Sequence, residues 1–149
     1  MKSIYIIGSL RNPTITSFAN ELQAQGFDAF SDWMGAGPNA DDCLRDYCKE
    51  RGLNYKQTLQ SYAAKHIYSF DLFHITRCDA AVMVMPCGRS GHMELGFVRG
   101  LGKPGYILFD EIPPRVDIMY QFATDVFFSK EDLFEELRRA YEGLPCSAV

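Results

Sequence analysis

Two acids and a phenol sit where an α/β chain gathers its chemistry. The stretch Gly88-Arg89-Ser90-Gly91-His92-Met93-Glu94-Leu95-Gly96 follows the apolar run Ala80-Ala81-Val82-Met83-Val84-Met85. That run is short, β-prone and uncharged, so it predicts a buried central strand. A glycine-bearing loop then leads into a helical pattern from about Gly91 to Gly102. Glu94 is therefore expected in the first turn of a helix at the carboxyl end of a strand, the edge where open α/β sheets bind ligands. A helix dipole there would keep the carboxylate ionised, which suits a nucleophile. The alternative is an acid that only satisfies the helix N-terminus. Backbone N–H groups of the same loop could hold an anion such as phosphate. His92 either lines the pocket or packs structurally.

Three further stretches converge on that edge. Tyr5 lies on the first strand, and Gly8-Ser9-Leu10-Arg11 follows it. Glycine allows a tight turn, while a hydroxyl and a planar cation suit an anion; the other reading is a strand end with a surface arginine. The spacing is not G-x-G-x-x-G, so a dinucleotide fingerprint is missing. Asp71 lies on the helix leading into the central strand and is either a solvated helical acid or part of the site. Asp79, which opens that strand, reads as a cap or salt-bridge residue. Asp117-Ile118-Met119 follows the Pro113-Pro114 turn and carries little meaning alone.

The elements that must position these groups alternate along the chain. Lys2–Gly8 reads as a strand and Thr14–Gln25 as a helix, with Gly26 as its C-cap. Phe27–Ser31 is a second strand. The segment from Asp32 to Tyr55 holds Trp33, the sole tryptophan, and a helical piece around Asp41–Arg51. It is long for a connection, as lids and binding loops are. A long helix over Gln57–Arg77, a strand over Asp79–Met85, a helix over Gly91–Leu101 and a strand over Pro104–Phe109 follow. A short strand over Asp125–Phe128 precedes a capping-box-like Ser129-Lys130-Glu131-Asp132, which opens a helix to about Glu142. This alternation predicts an α/β fold, flavodoxin- or Rossmann-like, with a mostly parallel five-stranded sheet and helices on both faces.

Composition bounds the rest. The 149 residues make one domain with 47% apolar content, enough for a core. We read residues 1–149 as a single unit, with 32–55 as a lid or insertion. A net charge of −4 gives no footprint for nucleic acid. No apolar run is long enough to span a bilayer, and the first residues lack the features of a signal peptide. The five cysteines, Cys43, Cys48, Cys78, Cys87 and Cys146, form no C-x-x-C pair; a reducing cytoplasm is expected. Three scattered histidines offer no metal-ligand spacing, and no cofactor is expected.

Taken together, these residues resemble the nucleoside 2-deoxyribosyltransferase superfamily, which includes nucleoside 5′-monophosphate N-glycosidases. The resemblance rests on Ile4-Tyr5 with Gly8-Ser9-Leu10-Arg11, on Asp71-Leu72, on Asp79, and on Gly91-x-x-Glu94-Leu95-Gly96 with Gly102-Lys103-Pro104. It spans Lys2 to about Leu133. It implies that Glu94 is the nucleophile attacking C1′, that the Tyr5 hydroxyl orients it, and that Asp71 protonates the departing base. It also implies that Asp117 and Met119 reach the site of a neighbouring subunit, making the protein a homodimer or larger. The nucleoside transferases carry an aspartate where this chain has Gly88. Gly8-Ser9-Leu10-Arg11 is closer to the monophosphate hydrolase branch, with Ser9, Arg11 and Ser90, and less firmly Arg89, as phosphate ligands. Trp33 or Phe30 either stacks on the base or packs.

The expected activity is cleavage of the N-glycosidic bond of a (deoxy)nucleoside 5′-monophosphate, as a hydrolase or a base-exchanging transferase. The expected partner is thus a small-molecule nucleotide or nucleoside. Two alternatives are an NAD-like dinucleotide glycohydrolase and a non-catalytic nucleotide-binding module.

Overall fold

The computed structural model describes residues 1–141. Five strands, β1 (Ser3–Ile7), β2 (Asp28–Phe30), β3 (Ala80–Val84), β4 (Gly105–Leu108) and β5 (Asp125–Phe127), form one sheet in the order β2-β1-β3-β4-β5. Every neighbouring pair is parallel. β3 is buried along its whole length, as its unbroken apolar run requires in a sheet covered on both faces. The two edge strands are only three residues each.

Strand periodicity sorts the core into two layers. Ile4 and Ile6 of β1, with Ala80, Val82 and Val84 of β3, face α1 (Ile15–Ala24) and α6 (Lys130–Ala140). Tyr5 and Ile7, with Ala81 and Met83, face the other way, toward α4 (Tyr62–Arg77) and α5 (Arg89–Gly100). The alternation thus delivers Tyr5 to the α4–α5 side of the sheet. Asp79 is structural: its carboxylate accepts from the Ser3 backbone N–H at 2.8 Å.

Three expected boundaries move. The segment after β2 folds into a 3₁₀ turn (Asp32–Ala36), α2 (Ala40–Glu50) and α3 (Tyr55–Leu59). The helix expected over Gln57–Arg77 is broken, because Ser61 is extended and its hydroxyl caps the Ala64 N–H, opening α4 afresh. The helix expected from Gly91 starts earlier, at Arg89. The Ser129 hydroxyl does accept from the Asp132 N–H at 3.1 Å, opening α6. Glu142, the expected end of that helix, lies outside the described residues, as does Cys146. Among the described residues no helix is long and apolar enough to cross a membrane.

Candidate active site

The order of the sheet reverses between β1 and β3, and the two loops leaving their carboxyl ends part there to form a cleft. Its floor is a hollow of about 530 Å³ lined by Ser9, Arg11 and Asn12 on one side and by Met85, Cys87 and Gly88 on the other. The first loop is held by its own bonds. Ser9 accepts from Asn12 N–H at 2.9 Å through its carbonyl and from Arg11 N–H at 3.2 Å through its hydroxyl. Gly8 must lack a side chain, since a Cβ would meet Ile15 Cδ1 at 2.5 Å. The Arg11 guanidinium reaches back to Asp42 of α2 at 3.4 Å.

Sequence reasoning missed Asn12, the one buried polar side chain among the described residues. Its Oδ1 accepts from the Thr14 N–H and hydroxyl, while its Nδ2 has no partner. Asp110, at the carboxyl end of β4, and Cys87 were also missed. An Asn-Pro pair after the arginine was the visible signal for Asn12. Nothing local marks the other two.

Beyond Cys87, on the α4–α5 side, the structure brings Tyr5, Asp71 and Glu94 together. Leu95 and Gly91 turn α5 onto the sheet, and Glu94 sits at the margin of that buried face. Asp71 lies one turn before the buried Ile75 of α4. Burial first, and Asp71's charge second, push the Glu94 carboxyl up to about 7. Burial also raises Asp71, against the opposing pull of His74. Tyr5 is raised strongly by burial and then by both acids.

Among the described residues no hydrogen bond engages the Tyr5 hydroxyl or the Glu94 carboxyl. Buried polar groups are normally satisfied; of the three side chains, only Asp71 has an oxygen that is both fully buried and unpartnered. One expectation is corrected. Glu94 is the sixth residue of α5, not in its first turn, and the dipole effect fades within a turn. Its carboxyl is therefore raised by burial rather than kept ionised by a helix N-terminus. Tyr5, expected to orient Glu94, lies near enough to feel its charge but makes no hydrogen bond to it.

The remaining candidates are placed as follows. Gly91 is buried because a Cβ there would lie 2.0 Å from Cys87 Sγ. Arg89 and Ser90 are exposed in the first turn of α5 and do not line the hollow. His92 is engaged at both ring nitrogens, by the Gly88 carbonyl at 2.7 Å and the Tyr120 hydroxyl at 3.1 Å. Trp33 donates its indole N–H to the Ile6 carbonyl at 2.9 Å and packs against both core layers. Phe30 stacks on His74 at 3.9 Å and on Tyr5 at 5.2 Å, forming an aromatic wall beside the trio. Asp117 caps a 3₁₀ turn (Ile118–Phe122), accepting from the Met119 N–H at 2.9 Å, and Met119 is exposed. Among the described residues no group of three His, Cys, Asp or Glu could hold a metal.

The fold has a solved counterpart. A 2-deoxyribosyltransferase from the psychrotolerant bacterium Bacillus psychrosaccharolyticus superposes with a TM-score of 0.62 over 89% of this chain and 90% of that one, at 17% identity. The chain has the deoxyribosyltransferase fold. No family model matches the sequence, and no curated protein is similar to it. The expected flavodoxin- or Rossmann-like parallel sheet is thus what the chain builds, and at this identity the likeness is one of fold.

Proposed function

We propose that the protein cleaves the N-glycosidic bond of a (deoxy)nucleoside 5′-monophosphate, by hydrolysis or by exchange of the base. The observation that carries this is the trio of Tyr5, Asp71 and Glu94, desolvated and without internal hydrogen-bond partners, beside a cleft that holds an arginine. A carboxylate pair in which burial raises both acids keeps one proton near neutral pH. A retaining glycosidase needs that state. The ionised Glu94 oxygen bonds to C1′ while the C1′–N bond breaks, its electron pair leaves with the base, and Asp71 delivers the proton to the base. Water or a second base then attacks C1′, Glu94 departs, and the proton lost by the attacker returns to Asp71.

The rest of the substrate is assigned by chemistry. Arg11 and Ser9 take the phosphate, and the wall of Phe30 and His74 flanks the base; Trp33 holds the end of β1 in place. Exposed apolar residues on α4 and α5, among them Phe73, Met93 and Phe97, join Ile118 and Met119 on the 3₁₀ turn in favouring a homodimer or larger assembly. Asp117 and Met119 would then complete a neighbour's site.

Incubation with a panel of nucleotides, followed by chromatography for free base, tests the reading. Base release that is lost in Glu94→Gln supports it; no release from any nucleotide overturns it. Arg11→Ala should lower kcat/KM on monophosphates by about 10-fold, the scale of one charge-assisted hydrogen bond, and leave unphosphorylated nucleosides nearly unchanged. Equal loss on both would remove the phosphate role.

The proton inventory makes a separate prediction. Glu94 must be ionised to attack, so kcat/KM should rise with pH through about 7. Asp71→Asn removes a neighbouring negative charge that helps to raise Glu94, while burial still raises it. The ascending limb should therefore move to lower pH, with the maximal rate falling ~100-fold for want of an acid. A limb that stays in place in Asp71→Asn would separate the two carboxyl groups.

A further inference from the structure

The cleft does not end at the arginine. A second hollow, of about 290 Å³, lies on the α1–α6 side of the sheet and shares Thr14, Met85 and Asp110 with the first. The two form one trough that crosses the carboxyl edge of the sheet. It passes Cys87, Ser9 and Arg11 and ends against α1 and the start of α6; the acids lie outside its lining, with Glu94 near enough to Cys87 for its charge to act on that thiol. A nucleoside monophosphate with its sugar at Glu94 and its phosphate at Arg11 leaves the far half of that trough empty.

The lining of the far half differs in kind from the near half. Phe128 is about half exposed and stacks on Phe109 at 5.3 Å with nearly parallel rings, presenting a flat apolar face. Lys130 is paired with Glu21 at 2.8 Å on the rim. Asp110, at the junction of the two hollows, has neither an ion pair nor a hydrogen bond with any described residue. A carboxylate there accepts hydrogen bonds from hydroxyl groups. An aromatic face with an acceptor carboxylate beside it is the chemistry that holds a sugar ring.

We propose that the substrate is a nucleotide whose 5′-phosphate is joined, through a diphosphate, to a second ribosyl group, and that this group occupies the far hollow. It lies against Phe128, with its hydroxyls donating to Asp110. The inference rests on the glycosidase reading of the same site and names the substrate class within it. Only the base at the Glu94 end leaves; the diphosphate and the second sugar are handles whose binding energy is available to the reaction.

The test compares nucleoside 5′-monophosphates with the same nucleotides carrying ribose through a 5′-diphosphate (ADP-ribose and its guanine, cytosine, uracil and nicotinamide counterparts). Base release is measured on wild type, Phe128→Ala and Asp110→Asn. The expected result is kcat/KM at least 10-fold higher on the conjugates, with that advantage lost in both variants and with cleavage of monophosphates unchanged in Phe128→Ala. Monophosphates cleaved as well as or better than the conjugates, or a Phe128→Ala protein that loses both classes alike, would overturn the extension and leave the glycosidase reading intact. No base release from either class would overturn that reading, and this proposal with it.

Discussion

Replacing Glu94 with glutamine is expected to lower base release by at least ~1,000-fold, since the variant has no anion to bond C1′. The same change should stabilise the protein. Glu94 has a folded pKa of about 7 against an ordinary value of 4.5. The sign follows from proton binding: the folded state binds this proton more tightly than the unfolded state. The group therefore imposes no penalty below pH 4.5, an increasing one as pH rises through the 4.5–7 window, and its full penalty above 7. At one pH unit per 1.36 kcal/mol, the full penalty is about 3 kcal/mol. Thermal melts of wild type and Glu94→Gln should coincide at pH 4 and diverge by roughly 6–12 °C at pH 8, with the inactive variant the more stable. Coincident melts at both pH values would mean the carboxyl is not buried as described. Stability given up at a buried acid is a common trade for activity.

The second large effect concerns a residue with no chemistry of its own. Gly91→Ala should destabilise the fold by about 1–3 kcal/mol, the usual cost of overpacking. The new methyl would lie 2.0 Å from Cys87 Sγ and 2.9 Å from Ile7 Cγ2. Because Cys87 lines the cleft, its displacement should also lower kcat/KM. Removing the sulfur relieves the closer clash, so Cys87→Ala combined with Gly91→Ala should recover most of the stability. Urea titrations of the two single variants and the double variant read the coupling. A Gly91→Ala protein as stable as wild type would show that α5 can ride outward, away from the sheet.

The fold was legible because each strand and helix shows its periodicity locally. The alternation of strands with helices along the chain and the unbroken apolar run of β3 were enough to predict a covered parallel sheet. The break at Ser61 was not legible. The helical pattern runs on through Leu59 and Ala63, and no glycine or proline interrupts it. The start of α5 was misjudged for a related reason. Gly88 to Ser90 read as a flexible loop ending at Gly91, whereas the helix already holds Arg89 and Ser90, and Gly91 is small so that Cys87 can lie over it. That shift of two residues took Glu94 out of the first turn and reversed its electrostatics. Tyr5, Asp71 and Glu94 could be nominated from the chain. Asn12 left only the trace of an Asn-Pro pair, and Cys87 and Asp110 left none, because what makes them interesting is the meeting of strand ends far apart in sequence.

The ion pair between Arg11 and Asp42 has a consequence for how the cleft responds to its medium. On the proposed reading, an incoming phosphate would not meet a bare cation; it would displace a carboxylate that the chain already supplies. Dissolved salt weakens the resident pair as well as the newcomer, and the two losses oppose each other. Occupancy would thereby be buffered against ionic strength, and a molecule bound there would also part Arg11 from α2.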